Sequence, residues 1–237
     1  MRKIGARAGA LLLCFAALTT WAGVYTESHG YGGTLSFTDL AVSFQQYNAA
    51  AHPGETLVGI EVILDLTAAG GYVQFDNDSG SVQFGNTATL SGTVTGASTD
   101  VTLPLLTSTA TASSGAQTIP AHTGSDAVDG FQWEGDADNY QFAMPIEGAT
   151  ASVTVAATDW TGGTTGFLGA GTFEILLAGS GASGALAGST VRYIGVSPTS
   201  ATGLATVRYT TTGHVPEPGS AGLLLLGLAA GLCRRRR

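Results

Sequence analysis

The chain has 237 residues, 35 of them glycine, and a formal net charge of −8. Of its nine Lys and Arg, three lie before residue 8 and four are the last four residues, so between Gly23 and His214 only Arg192 and Arg208 stand against sixteen acids, a net −14. Two arginines cannot build the basic patch that phosphate recognition needs, which excludes a nucleic-acid binder.

Residues 1–22 have the order of a secretory signal peptide. Arg2, Lys3 and Arg7 form a positive start, Ala8 to Leu18 is apolar, and Thr20-Trp21-Ala22 places small residues at the −3 and −1 positions. Cleavage is predicted between Ala22 and Gly23, with export by the Sec pathway. Cys14 follows Leu13, too large for a lipidation site, and reads as part of the apolar stretch.

The middle, residues 23–214, is long enough for one domain with a hydrophobic core. Its alphabet is Gly, Thr, Ser, Ala and Val, which disfavours surface helices. Short alternating runs recur between turn residues. The predicted strands begin with Leu35–Phe37 and Leu40–Phe44. Leu57–Leu66 is the clearest, with Val58, Ile60, Val62 and Leu64 on one face and Glu61 and Asp65 on the other. Tyr72–Phe75 and Ser81–Phe84 are expected to form a hairpin around Asp76-Asn77-Asp78-Ser79-Gly80. Ala88–Val94, Val101–Leu106, Tyr140–Met144, Ala151–Ala157, Gly171–Leu177, Val191–Val196 and Leu204–Thr211 follow. Thr107–Pro120 and Gly179–Gly188 are expected to be long loops. The fold expected is all-β, an antiparallel β-sandwich of immunoglobulin-like or jelly-roll-like type. An N-terminal signal helix and a C-terminal transmembrane helix would flank it.

Little in this domain reads as catalytic. Cys14 and Cys233 both lie in the flanking segments, so the domain has no disulfide and no cysteine nucleophile. The histidines, His29, His52, His122 and His214, form no H-x-H or H-E-x-x-H pair, and there is no G-x-S-x-G or P-loop. No spacing singles out a pair of carboxylates for glycoside hydrolysis. The best constellation of oxygen ligands is acidic: Asp126 and Asp129 lead into Glu134, Asp136 and Asp138, and Asp76 and Asp78 form a second cluster. Ca²⁺ accepts such ligands in flexible geometry. The same residues are ordinary turn chemistry, and that reading is favoured, with weak Ca²⁺ binding as the alternative. No other cofactor is expected. Phe131, Trp133 and Trp160 could stack on sugar rings, although a lone Trp in a sandwich is more often core.

Residues 215–237 carry the sharpest pattern. Val215-Pro216-Glu217-Pro218 is stiff and extended, because each proline fixes φ and biases its predecessor away from helix. Gly219 to Cys233 is an uncharged apolar run, and Arg234, Arg235, Arg236 and Arg237 close the segment. The run would be about 22 Å long as a helix, short of a hydrocarbon core of about 30 Å. Terminal arginines hold such a helix at the cytoplasmic face. A segment that engages the membrane but anchors it weakly suits a signal that is read and removed.

The three parts in this order resemble the PEP-CTERM sorting signal of Gram-negative bacteria. The resemblance implies handling by an exosortase, a membrane transpeptidase-like enzyme, with transient residence of the precursor in the inner membrane. It further implies a final place at the cell surface or in an extracellular matrix, in association with exopolysaccharide and biofilm. A second resemblance covers most of the middle. Phe44-Gln45-Gln46-Tyr47 with Gly54-Glu55-Thr56-Leu57 and Ile60, then Phe167 to Phe173, then Leu204 to Thr211, are similar to phrases of the choice-of-anchor E domain. Tyr47 and the His52-Pro53 loop depart from that family's pattern, and the family has no catalytic residues to carry over. The expected function is therefore a non-enzymatic exported surface or matrix protein. The alternatives are a carbohydrate-binding module of the matrix and, third, a glycosidase or lyase.

Overall fold

The structure, a computed structural model, describes residues 21–122 and 138–214. Within them lie twelve strands and two single-turn 3-10 helices. In chain order the strands are β1 (Trp21–Thr34), β2 (Leu40–Gln45), β3 (Thr56–Ala69), β4 (Tyr72–Asn77), β5 (Gln83–Ala97), β6 (Leu106–Ser113), β7 (Gln117–Ile119), β8 (Asn139–Ala143), β9 (Glu147–Val155), β10 (Thr172–Leu186), β11 (Val191–Val196) and β12 (Ser200–His214).

All the strand pairings are antiparallel. One sheet runs β1-β12-β3-β9, and a second runs β2-β10-β5-β6 with the short β7 also on β5. The inward residues of these sheets form the core between them. From the first sheet come Ile60, Val62, Leu64, Leu66, Val207 and Tyr209, and from the second Val42, Phe44, Leu90, Val94, Phe173, Ile175 and Leu177. Each fully buried side chain of this kind contributes about 1.5–3 kcal/mol of transfer free energy. Phe44, Phe173 and Phe167 pack ring on ring, with centroids 5.8 and 5.0 Å apart for the successive pairs. The two sheets approach closely where Gly92 of β5 meets Ala68 of β3. A Cβ at position 92 would lie 2.6 Å from the Ala68 Cβ, so only glycine fits. A smaller sheet, β11-β4-β8, forms the third part.

The all-β, antiparallel sandwich is as expected. Several local expectations are corrected. Tyr72–Phe75 and Ser81–Phe84 do not form a hairpin: β4 pairs with β11 and β8, whereas β5 pairs with β10, β6 and β7. The connection between them is fixed instead by Asn77, fully buried. Its Nδ2 donates to the carbonyls of Ser81 and Pro120 at 2.9 and 2.6 Å, and its Oδ1 accepts from the Ser79 N–H and Oγ. Thr107–Pro120 is not a loop but most of β6 and β7, and Gly179–Gly188 supplies the second half of β10. Val101–Leu106 is not a strand. Thr102 to Leu105, with Pro104, is irregular, and pairing starts at Leu106. Leu35–Phe37 is a turn region rather than a strand. On β3 the predicted face holds from Ile60 to Ala68, but Val58, near the strand's start, is exposed.

The signal-helix and sorting-segment expectations concern residues 1–20 and 215–237, outside the described residues. β1 begins at Trp21, and Gly23, the first residue after the expected cleavage, pairs with Thr211 of β12. Among the described residues no helix is long and apolar enough to cross a membrane.

Candidate functional site

Of the residues singled out in the sequence, Ala22 and Gly23 lie at the start of β1. Val215, Pro216, Glu217, Pro218, Arg234, Arg235, Arg236, Arg237, Glu134, Asp136, Asp126, Asp129, Phe131, Trp133, Cys14 and Cys233 lie outside the described residues. The remaining acidic candidates are brought closer than the sequence implied, because β4 pairs with β8 and sets Asp76 opposite Asn139. Their side chains are engaged locally. Asp78 Oδ2 is 2.6 Å from Arg192 Nε, and Asp138 Oδ2 is 2.6 Å from His122 Nδ1. Among the described residues no three His, Cys, Asp or Glu side chains are arranged to hold a metal ion. Trp160 donates its Nε1–H to the Val155 carbonyl at 3.1 Å and packs half-buried against the core, so it offers no open platform.

The structure draws attention elsewhere, to the seam where β1, at one edge of the first sheet, runs beside β2, at one edge of the second. Gln46 follows β2 and locks the loop around Phe167–Gly171. Its Nε2 donates to the carbonyls of Thr165 and Gly166 at 3.0 and 2.8 Å, and its Oε1 accepts the Gly171 N–H at 2.9 Å. A Cβ at Gly169 would sit 2.4 Å from that Oε1, so the lock requires glycine there. The next residue, Tyr47, bonds through its N–H to the Phe167 carbonyl and accepts the Gly169 N–H. From β12, Tyr209 donates its hydroxyl to the Gln45 carbonyl at 2.8 Å, and its ring lies 5.7 Å from that of Tyr47. Residues of the stretches 44–57, 167–173 and 204–211 thus meet at one place.

Beside this lock is a cavity of about 180 Å³, lined by Tyr25, Glu27, Tyr47, Asn48, His52 and Tyr209 among others. The His52 ring stacks on Tyr47 at 5.1 Å and 11°, with Tyr25 4.2 Å from it on another side. Tyr25 donates to Glu55 Oε1 at 2.6 Å, and Thr211 Oγ1 donates to Glu55 Oε2. Glu27 accepts the Gln45 N–H at 2.8 Å and faces His29 Nε2 at 2.8 Å. The field at this end is negative. The bond to Glu55, then burial and the charge of Glu55, push the Tyr25 phenol up to about 12. Burial, then the charge of Glu55, raises Tyr47. Burial, then the charge of Glu27, raises Tyr209 further. Among the described residues no Lys or Arg lines the cavity. Sequence reading missed this site because its aromatic residues lie far apart in the chain and each reads as core by itself.

No curated protein matches the chain at a significant level. Solved structures that it resembles include T=1 particles derived from infectious bursal virus, at 15% identity over 85% of this chain and 47% of that one, with a TM-score of 0.14. Another is the VP2 subviral particle of infectious bursal disease virus, at 16% identity over 85% and 49%, with a TM-score of 0.15. The chain spans about half the length of these viral chains. At such TM-scores the likeness carries no argument, and the fold rests on the strand pairing itself. A family model does match the tail. Residues 214–237 match the PEP-CTERM protein-sorting motif, and that motif is what the chain carries at the end of β12.

Proposed function

We propose that the chain is an exported, non-enzymatic surface or matrix protein, processed by an exosortase at its C-terminal segment. The match of residues 214–237 to the PEP-CTERM protein-sorting motif is the observation that carries this reading. In it, residues 1–22 direct export through the Sec pathway, residues 23–214 are the delivered sandwich, similar to a choice-of-anchor E domain, and residues 215–237 are the sorting signal. The precursor rests in the inner membrane, and the processed domain reaches the surface and its exopolysaccharide.

Physical reasons support the order of events. β12 ends at His214, and Pro216 and Pro218 in the sequence that follows bias a chain toward extended conformations. A cleaving enzyme needs such a segment at a fixed height above the membrane. The apolar run is too short for a lasting anchor, and four arginines keep its end on the cytoplasmic side. Replacing Pro216 and Pro218 together with Ala is expected to leave uncleaved precursor in the inner membrane, followed by fractionation and immunoblotting in the native host. Processing at the wild-type rate in that variant would refute the role given to the prolines.

A further inference from the structure

We propose that the seam between β1 and β2 is a glycan-binding groove, selective for neutral pyranose chains over polyuronates. The proposal goes beyond sorting and draws on the export reading only for where such a ligand is met.

The groove is longer than the aromatic cavity. A second cavity, of about 450 Å³, is flanked by the next residues along the same two strands, His29 to Gly32 of β1 and Leu40 to Ser43 of β2. Glu27 belongs to the first cavity and faces His29 of the second, so the two are neighbours along one seam. β2, six residues long, spans about 20 Å. That length accommodates several sugar rings in a row, whereas a cavity of 180 Å³ is below the usual range for drug-sized ligands.

The lining has the chemistry that sugars require. A pyranose presents C–H groups on its faces and hydroxyls around its rim. Aromatic rings suit the first and planar polar groups the second. Tyr25 and His52, both half-buried and packed on each other, supply the part of their aromatic surface that lines the cavity, while Glu27 and Asn48 supply a carboxylate and an amide. One polar atom is left over. Tyr47 lines the cavity and is 5% exposed, and its Oη is buried with no hydrogen-bond partner among the described residues. A buried hydroxyl left unpaired is costly, and buried polar groups nearly always find a partner. A sugar hydroxyl in the cavity would complete it.

Charge decides which glycans fit. Glu27 lines the cavity and Glu55 bonds Tyr25, no Lys or Arg among the described residues lines either cavity, and the domain carries −14. A polyuronate would bring like charge against both carboxylates. An inserted peptide strand is disfavoured because the Glu27 carboxylate already occupies the Gln45 N–H at the end of the β2 edge.

The test is isothermal titration of the full-length chain, in mild detergent at physiological salt, with cellohexaose, maltohexaose, xylohexaose, N-acetylchitohexaose and a polyuronate of similar length. At least one neutral oligosaccharide is expected to bind, and the polyuronate is not. Tyr47→Phe, which deletes only the unpartnered hydroxyl, is expected to weaken that binding about tenfold, the worth of one hydrogen bond, with Tm unchanged or raised. His52→Ala is expected to weaken it as well by removing part of the aromatic lining and the ring that packs between Tyr25 and Tyr47. Absence of binding to every neutral oligosaccharide, equal binding by Tyr47→Phe, or a preference for the polyuronate would overturn the proposal. None of these outcomes bears on processing of residues 214–237, which is read separately in cells.

Discussion

Asn77 shows how one buried amide can replace a turn. With all four of its hydrogen bonds internal and no exposure, it ties the end of β4 to Ser79, Ser81 and Pro120. Asn77→Ala would strand two carbonyls and the Ser79 N–H. It is expected to cost about 2–4 kcal/mol, measured by urea denaturation, because each buried group left unpaired carries its own desolvation penalty. The tyrosines give a second residue-level expectation. Tyr25, Tyr31, Tyr47 and Tyr209 are all raised above the ordinary value of 10.0, with Tyr25 reaching about 12. A raised phenol favours the folded state below pH 10 and loses that contribution as pH climbs through the folded value. The contribution of these four tyrosines to stability is therefore expected to be level below pH 10 and to fall as pH rises above it. Phenolate absorbance near 295 nm should appear later in the folded chain than in the urea-unfolded one. Coincident titration curves would contradict the burial and bonding assigned to these four rings.

At the scale of elements, legibility followed side-chain size. β3 was plain from its sequence because Ile60, Val62, Leu64 and Leu66 alternate with polar or less buried partners, and the structure buries that face. β6 obeys the same period, with Leu106, Ser108, Ala110 and Ala112 inward, but small residues make a faint signal, and the stretch read as a loop. The second half of β10, Gly179 to Leu186, has almost no strand formers. It is strand because each residue pairs with β5, from Gly179 opposite Val94 to Leu186 opposite Thr87, a tertiary constraint that overrides local propensity. The Asp76–Gly80 stretch misled in the other direction: its turn residues are real, but the strands on either side belong to different sheets. The seam site was equally hidden, since Tyr25, Tyr47, His52 and Tyr209 gather only once β1, β2 and β12 are in place. Hydrogen exchange tests the β10 assignment. Amides bonded to β5 within Gly179–Leu186 are expected to exchange orders of magnitude more slowly than those of an unstructured chain. Free exchange across the whole stretch would restore the loop.

At the scale of the whole molecule, charge and targeting explain each other. Seven of the nine basic residues fall in the segments expected to be removed, and the domain left behind is strongly acidic. Such a domain repels its own copies and stays soluble, which suits a protein released from a membrane. The tail was legible in full because its signal is local: prolines, an apolar run and arginines in a fixed order, matched by a family model at residues 214–237. The central claim is that this segment is a sorting signal that is cut away. Mass spectrometry of the C-terminus of the surface-exposed protein, from cells with a working exosortase, tests it most directly. The account predicts a mature chain that lacks Arg234 to Arg237 and most of the apolar run from Gly219 to Cys233. Recovery of intact peptides ending in Arg237 from the surface protein would contradict it and leave a plain membrane anchor in its place.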